Sequence, residues 1–172
     1  MLPVLVALTL VELGSGLVLD TLQATLLRFP SLLVLVPVTI GLAGNLGAIM
    51  ASRLSTATHL GLLAFEPDDE TILGNAIATA ALAATLFPLV GAGAWAVQAL
   101  LAGTRLTLMT VVLVATLSGA ALATLAVVVS VAATYVAFRV GADPDDVVLP
   151  VVTNVCDVLG VLVLFGVVRL LV

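Results

Sequence analysis

The last apolar segment of the chain carries three oxygen-bearing side chains within about two helical turns of one another. Thr153 and Asp157 are spaced i, i+4, and Asn154 and Asp157 are spaced i, i+3, so a helix would place them on one face. A carboxylate flanked by a hydroxyl and an amide oxygen offers the hard ligands that Mg²⁺ and Ca²⁺ prefer. These residues therefore predict a cation site, although Asp157 paired with Arg53, or protonated and hydrogen-bonded to a neighbour, would explain them equally.

A second set of polar residues lies on the first apolar segment. Its members recur at steps of three and four and form one stripe on a predicted helix: Thr9, Glu12, Gly16, Asp20 and Gln23. A charge at the centre of a lipid-embedded helix costs about 2.5–3.5 kcal/mol on insertion scales, so this stripe must face protein or water. Glu12 and Asp20 are candidate cation ligands, and a seam of hydrogen bonds between helices is the alternative.

The glycine-rich stretch 41–47 reads GLAGNLG inside another apolar segment. Glycines allow close backbone approach, or expose carbonyls where a helix is broken. Gly44 and Asn45 are therefore candidates for an ion path, with Asn45 supplying a neutral oxygen. A packing surface between helices is the alternative interpretation, and the Lys-Ser/Thr ending of a phosphate-binding loop is missing.

The elements that carry these residues must be membrane helices. Of the 172 residues, 63% are hydrophobic and 9% are charged, against about half and a quarter in soluble domains. A chain of this size cannot bury that excess in one core, so lipid must cover it. The net charge of −5 and the absence of lysine exclude a nucleic-acid partner. One cysteine and one histidine argue against a zinc or copper centre.

Five segments are long enough to cross the hydrocarbon core, which takes about 20 residues. We predict an all-α, multi-pass protein of the cell membrane, in which residues 1–172 form a single transmembrane domain with no soluble domain. The predicted helices are 3–27, 31–64, 71–102, 106–138 and 147–171. Five crossings would place the acidic loops 66–70 and 143–146 on the same side of the membrane.

Two stretches resemble a known family. Residues 37–56 read PVTIGLAGNLGAIMASRLST and are similar to the Pro…Gly-Asn…Ala-Ser-Arg-Leu-Ser-Thr signature of the MgtE-type magnesium channels, most closely that of their eukaryotic solute-carrier relatives. Residues 143–157 read DPDDVVLPVVTNVCD and are similar to the Asp-Pro-Asp-Asn…Pro…Asp pattern that opens the last helix of that family. The order, the spacing and the number of helices agree over essentially the whole chain.

The resemblance implies a five-helix unit that works as a two-fold dimer, with the cation path on the axis. The solute-carrier members fuse two such units, so this single unit implies a homodimer or a heterodimer with a second half-sized paralogue. Asp157 matches the aspartate that faces its twin and gathers hydrated Mg²⁺. Gly44 and Asn45 match a segment near the same path.

The predicted function is therefore Mg²⁺ transport through a channel, and an enzyme is not expected, since no nucleophile–base pair appears. A carrier coupled to Na⁺ or H⁺ and a non-transporting membrane assembly subunit are the alternatives. The two acidic loops either concentrate cations at one mouth or are ordinary solvated loops. We interpret His59 as an interfacial or capping residue rather than a ligand.

Overall fold

The computed structural model describes residues 2–21, 23–66, 68–101 and 103–172, with side chains from residue 6 onward. These residues form helical segments and no strand. The segments are α1 (Leu2–Thr21), α2 (Gln23–Arg28), α3 (Pro30–His59), α4 (Glu70–Leu101), α5 (Leu108–Val140) and α6 (Pro144–Leu171). The all-helical fold predicted from the sequence is confirmed over the described residues.

Four of these helices, α3 to α6, are long and apolar enough to cross a membrane. They contain 30, 32, 33 and 28 residues, and their mean hydropathies are 2.1, 1.8, 2.4 and 2.3. A helix needs about 20 residues to span the hydrocarbon core, so each has residues to spare for tilting or for reaching the interface. The first predicted span, 3–27, coincides with α1 and α2, which flank position 22, outside the described residues. A fifth crossing stays a prediction.

Two ends of the four long helices differ from the predicted boundaries by three residues or more, and the others differ by at most two. The second span was expected to reach residue 64, but α3 ends at His59, because Gly61 adopts a left-handed conformation with φ of +66°. The last helix begins earlier than expected, at Pro144 instead of residue 147. Asp143 caps it by accepting a hydrogen bond from the Asp145 backbone N–H at 3.0 Å, and Pro144 at the first helical turn needs no hydrogen-bond acceptor for its nitrogen.

Helix α3 lies at the centre of the bundle. It packs against α4, α5 and α6, while α5 also packs against α4 and α6. Its inward side chains, among them Leu35, Met50 and Leu54, are completely buried. Among the described residues α1 packs against α6 and α2 alone, so it lies at the periphery of the bundle.

Small residues bring the helices close together, which is how helices associate in a bilayer. On α4, a Cβ at Gly91 would lie 2.8 Å from the Val112 Cα of α5. On α5, a Cβ at Gly119 would overlap the ring of Phe87, which is fully buried. The composition, rich in alanine, valine and glycine, thus has its counterpart in these tight contacts.

Both acidic loops lie at the same end of the bundle. The ring of Phe65, in the loop between α3 and α4, is 5.4 Å from the ring of Tyr135 near the end of α5. At that end His59 Nε2 of α3 is also 3.6 Å from Asp143 Oδ1 at the start of α6. The shared side that the helix count predicted is therefore present in the structure.

Candidate ion-binding site

Asp157 of α6 packs directly against Gly44 of α3. A Cβ added to Gly44 would lie 2.9 Å from Oδ1 of Asp157, closer than real Cβ contacts. The carboxylate therefore occupies space that every other residue type at position 44 would need. The structure brings together two of the residues that the sequence singled out, although they are more than a hundred positions apart in the chain.

This contact belongs to a close antiparallel pairing of α3 with α6. On one side of it, a Cβ at Gly47 would lie 2.7 Å from Val152 Cγ1 and 3.1 Å from Cys156 Sγ. On the other side, a Cβ at Gly160 would lie 3.4 Å from Ile40 Cγ1. The glycine-rich stretch thus serves as a packing surface, and the same close packing brings the α3 backbone to the carboxylate. The two interpretations of that stretch are compatible.

Asn154 carries an unsatisfied acceptor one turn from Asp157. Its Oδ1 is buried and has no hydrogen-bond partner within the described part of the chain. Buried polar atoms nearly always have a partner, so this oxygen keeps lone pairs with which it could accept a hydrogen bond or bind an ion. The neighbouring Thr153 hydroxyl donates to the carbonyl oxygens of Leu149 and Pro150, at 3.0 and 3.1 Å, and keeps its own lone pairs free.

Glu12 lies on α1, which packs against α6. It is half-buried, and its carboxylate is close enough to Asp157 for their charges to interact. A cavity of about 200 Å³ lies between these helices, lined by Asn154 and by apolar side chains such as Leu8 and Val158. Asp20 is exposed on α1, eight residues beyond Glu12, so the structure does not bring it into this cluster.

Asp157 is not neutralised by an arginine. Arg53 donates instead to Asn75 Oδ1 of α4, at 3.3 Å. Among the described residues, the ion pairs within 4 Å involve only His59 with Asp143 and Asp145. The pairing of Asp157 with Arg53, one of the alternatives left open by the sequence, is therefore wrong.

Asn45 lies on a different face of α3 from Gly44. Gly44 is buried against α6, whereas Asn45 is exposed, as is Gly41 one turn earlier. A Cβ at Gly41 would meet nothing within 4 Å. The structure thus places Gly44, and not Asn45, against Asp157 within one chain.

Comparison with known proteins assigns the fold to a family. Residues 36–167, well over half of the chain, match the model of the MgtE family, described as a divalent cation transporter. The chain belongs to the MgtE family. It is also similar to solute carrier family 41 member 3 of Rattus norvegicus, with 29% identity over 87% of this chain and 34% of the rat protein. The chain thus spans about a third of the length of that relative, and the resemblance inferred from its motifs is confirmed.

The MgtE match divides the candidate residues into two groups. It runs from within α3 to within α6, so it contains Gly44, Asn45 and the α6 residues Thr153, Asn154 and Asp157. Glu12 and Asp20 on α1 lie before it. The cluster around Asp157 therefore combines residues that lie within the MgtE match and Glu12 of α1, which lies outside it.

Of the acidic loop 66–70, the structure gives Asp69 a local role. Its carboxylate accepts hydrogen bonds from the backbone N–H groups of Ala64, Phe65, Thr71 and Ile72 at 2.8–3.2 Å. Partial burial raises the pKa of this carboxyl, but the four hydrogen bonds outweigh it and hold the pKa below its ordinary value. Asp69 thus organises the turn before α4 and is not free to gather cations.

The sequence interpretation missed one group of residues. His59, Asp143 and Asp145 offer one ligand atom each within 4.8 Å of one another, at the end of the bundle where α3 ends and α6 begins. The number of crossings could have indicated this group, because five crossings place the end of the second helix and the start of the last helix on the same side of the membrane.

Proposed function

We propose that this MgtE-family chain transports divalent cations, Mg²⁺ in the first place, across the cell membrane along a path lined by Asp157. The observation that carries the proposal is the Asp157 carboxylate packed on Gly44 in the middle of two membrane helices, without a basic partner among the described residues. An unpaired carboxylate in that position costs several kcal/mol unless it faces water or a cation. The buried, unpartnered Oδ1 of Asn154 one turn away supports the same path.

The proposed mechanism is electrostatic. Mg²⁺ gives up its water ligands reluctantly, so it passes with most of its hydration shell. Water molecules bridge the ion to Asp157, Asn154 and the Thr153 hydroxyl. Selectivity then depends on the width of the path and on its density of negative charge rather than on a complete cage of protein ligands.

The complete path in this proposal needs a second subunit, either a copy of this chain or a half-sized paralogue. Support comes from the exposed face of α3 that carries Gly41 and Asn45, because a polar side chain on a membrane helix needs a protein or water neighbour. A two-fold axis beside this face would bring two Asn45 side chains toward the path and two Asp157 carboxylates near it. The first predicted span then provides the fifth crossing in each subunit.

Glu12 extends the site from α1 in the proposal, with Asp20 toward the end of the path. The proximity of Glu12 to Asp157 also favours a second candidate function, a carrier coupled to H⁺, because two neighbouring carboxylates can share a proton. Mg²⁺ uptake that requires an imposed pH gradient would identify the carrier, and uptake driven by the Mg²⁺ gradient and membrane potential alone would identify the channel.

The proposal is tested by Mg²⁺ uptake into proteoliposomes loaded with a Mg²⁺-sensitive dye. Asp157→Asn keeps the size of the side chain and removes its charge, and Asp157→Ala removes both. We expect each variant to lose at least about tenfold in uptake rate, equivalent to about 1.4 kcal/mol, while it inserts and elutes as the unaltered protein does. The matched control is Asp68→Asn, in an exposed loop outside the cluster. Unchanged uptake in both Asp157 variants would refute the path at Asp157, whereas no uptake by the unaltered protein would leave the non-transporting subunit as the explanation.

A further inference from the structure

A second group of ligand atoms lies at the end of the bundle, away from Asp157. His59 is the last residue of α3, Asp143 caps α6, and Asp145 follows in the first turn of α6. His59 Nε2 is 3.6 Å from Asp143 Oδ1, and Nδ1 is 3.9 Å from Asp145 Oδ2. Asp145 and Asp157 are twelve residues apart on α6, so the two sites are separated by about 18 Å along the helix.

The ring of His59 is held in one tautomer. Nδ1 lies 3.0 Å from the backbone carbonyl oxygen of Ser55, and because a carbonyl oxygen can only accept, Nδ1 carries the proton. Nε2 therefore presents its lone pair toward Asp143. A histidine whose second nitrogen donates to a backbone carbonyl is the usual arrangement of a metal-binding imidazole.

The carboxylates are also positioned by neighbours outside the group. Asp145 accepts a hydrogen bond from the Ser55 hydroxyl through Oδ1, which leaves Oδ2 on the side of the imidazole. Asp143 is fixed as the cap of α6 by the backbone N–H of Asp145. Both carboxylates keep free lone pairs, since one oxygen accepts more than one hydrogen bond or ion contact.

The spacing suits a small dication. Two ligand atoms that each lie about 2.1 Å from one metal ion are at most about 4.2 Å apart. The 3.6 Å between His59 Nε2 and Asp143 Oδ1 falls within that limit. The three ligand atoms lie within 4.8 Å of one another, so a small rotation of the exposed Asp145 side chain brings all of them within reach of one ion. The side chains of His59, Asp143 and Asp145 are 50%, 54% and 67% exposed, so an ion reaches them from solution.

We propose that His59, Asp143 and Asp145 form a binding site for a first-row transition-metal dication such as Zn²⁺, separate from the transport path. An imidazole nitrogen with two carboxylate oxygens favours such ions over Mg²⁺, which prefers oxygen ligands throughout. The ligands come from α3 and α6, the two helices that hold Gly44 against Asp157. The bound ion therefore joins the ends of these helices and stabilises their pairing.

The site is tested by titration calorimetry with Zn²⁺ on the full chain in detergent, in the presence of excess Mg²⁺. Co²⁺ absorption spectra then report whether a nitrogen ligand is bound. We expect one ion per chain, and an affinity at least about tenfold lower in His59→Gln and in Asp143→Asn, which keeps a good helix cap while it removes the charge. Asp146→Asn, next to the group but outside it, is the control and keeps the affinity of the unaltered protein.

The test of the Zn²⁺ site does not depend on whether the protein transports Mg²⁺. Asp157→Asn should bind Zn²⁺ as the unaltered protein does, even where it has lost Mg²⁺ uptake. Zn²⁺ binding that survives both His59→Gln and Asp143→Asn, or that Asp157→Asn abolishes, would overturn the proposed site. Absence of Zn²⁺ binding by the unaltered protein would overturn it as well, with no consequence for the proposed path at Asp157.

Discussion

Among the single residues, Gly44 is central to the site because it is a glycine. Gly44 has no Cβ, and the Asp157 carboxylate occupies the space that one would take. The carboxylate thereby lies against the α3 backbone and is partly buried. Turned fully toward lipid, its uncompensated charge would be costly. The position of Asp157 is thus set by its neighbour on α3 as much as by its own helix.

The first prediction at this scale concerns Gly44→Ala. The added methyl group would stand 2.9 Å from Asp157 Oδ1, so the carboxylate must move away from its position. We expect Mg²⁺ uptake in proteoliposomes to fall by about tenfold or more while the protein still folds, because alanine favours a helix. Gly93→Ala on α4 is the control, since a Cβ there meets nothing within 4 Å. Equal uptake by Gly44→Ala and the unaltered protein would show that this contact does not position the carboxylate.

The chemistry of these residues could be predicted from the sequence, but their partners could not. A carboxylate, an amide and a hydroxyl within two turns of an apolar segment already indicate a cation site. Whether Asp157 meets Gly44 or Arg53 depends on the register between α3 and α6. The helical periodicity of each segment, taken alone, does not predict that register. The structure resolves that register and places Arg53 against Asn75.

At the scale of elements, the start of α4 shows what an acidic residue in a loop does here. Asp69 collects four backbone N–H groups, two before it and two in the first turn of α4. The latter two are groups that the start of a helix leaves without partners, and the former two fix the loop before it. Loop 66–70, which the sequence analysis considered as a cation-concentrating cluster, therefore contains the residue that caps the start of α4.

The prediction for this element concerns stability and pH. The pKa of Asp69 is below its ordinary value of 3.8 in the folded protein, so its stabilising effect is fully present above pH 3.8 and is lost as the pH falls below it. Asp69→Ala should lower stability by about 1 kcal/mol at neutral pH, as the loss of a helix cap does. Thermal unfolding in detergent from neutral to acid pH should then show a smaller loss of stability in the variant than in the unaltered protein. Parallel pH curves for the two would contradict this role.

The helices themselves follow from the sequence more fully than their ends do. Uninterrupted apolar stretches require membrane helices of about 20 residues or more, and α3 to α6 fulfil this requirement. Their ends depend on single residues with local roles, such as Gly61 with its positive φ after α3 and Asp143 as the cap of α6. Hydropathy alone does not predict such end residues, so the second predicted helix was too long and the last was too short.

At the scale of the whole molecule, membership of the MgtE family and the arrangement of α3, α6 and α1 support one account. The bundle brings an acidic, partly buried cluster into its membrane-spanning part, while the His59 group lies at the end where both acidic loops meet. Asn45 and Gly41 are exposed on α3. In the proposed dimer this face meets a second subunit, transport is a property of the pair, and each chain contributes one Asp157.

The central claim, that residue 157 lines a water-filled ion path, is tested most directly by its accessibility in the membrane. Cys156 is the only cysteine, so Cys156→Ala combined with Asp157→Cys provides a single reporter thiol. In proteoliposomes, a charged thiol reagent that cannot cross lipid should modify this thiol. A thiol that stays unmodified, or that reacts only with lipid-soluble reagents, would contradict the account.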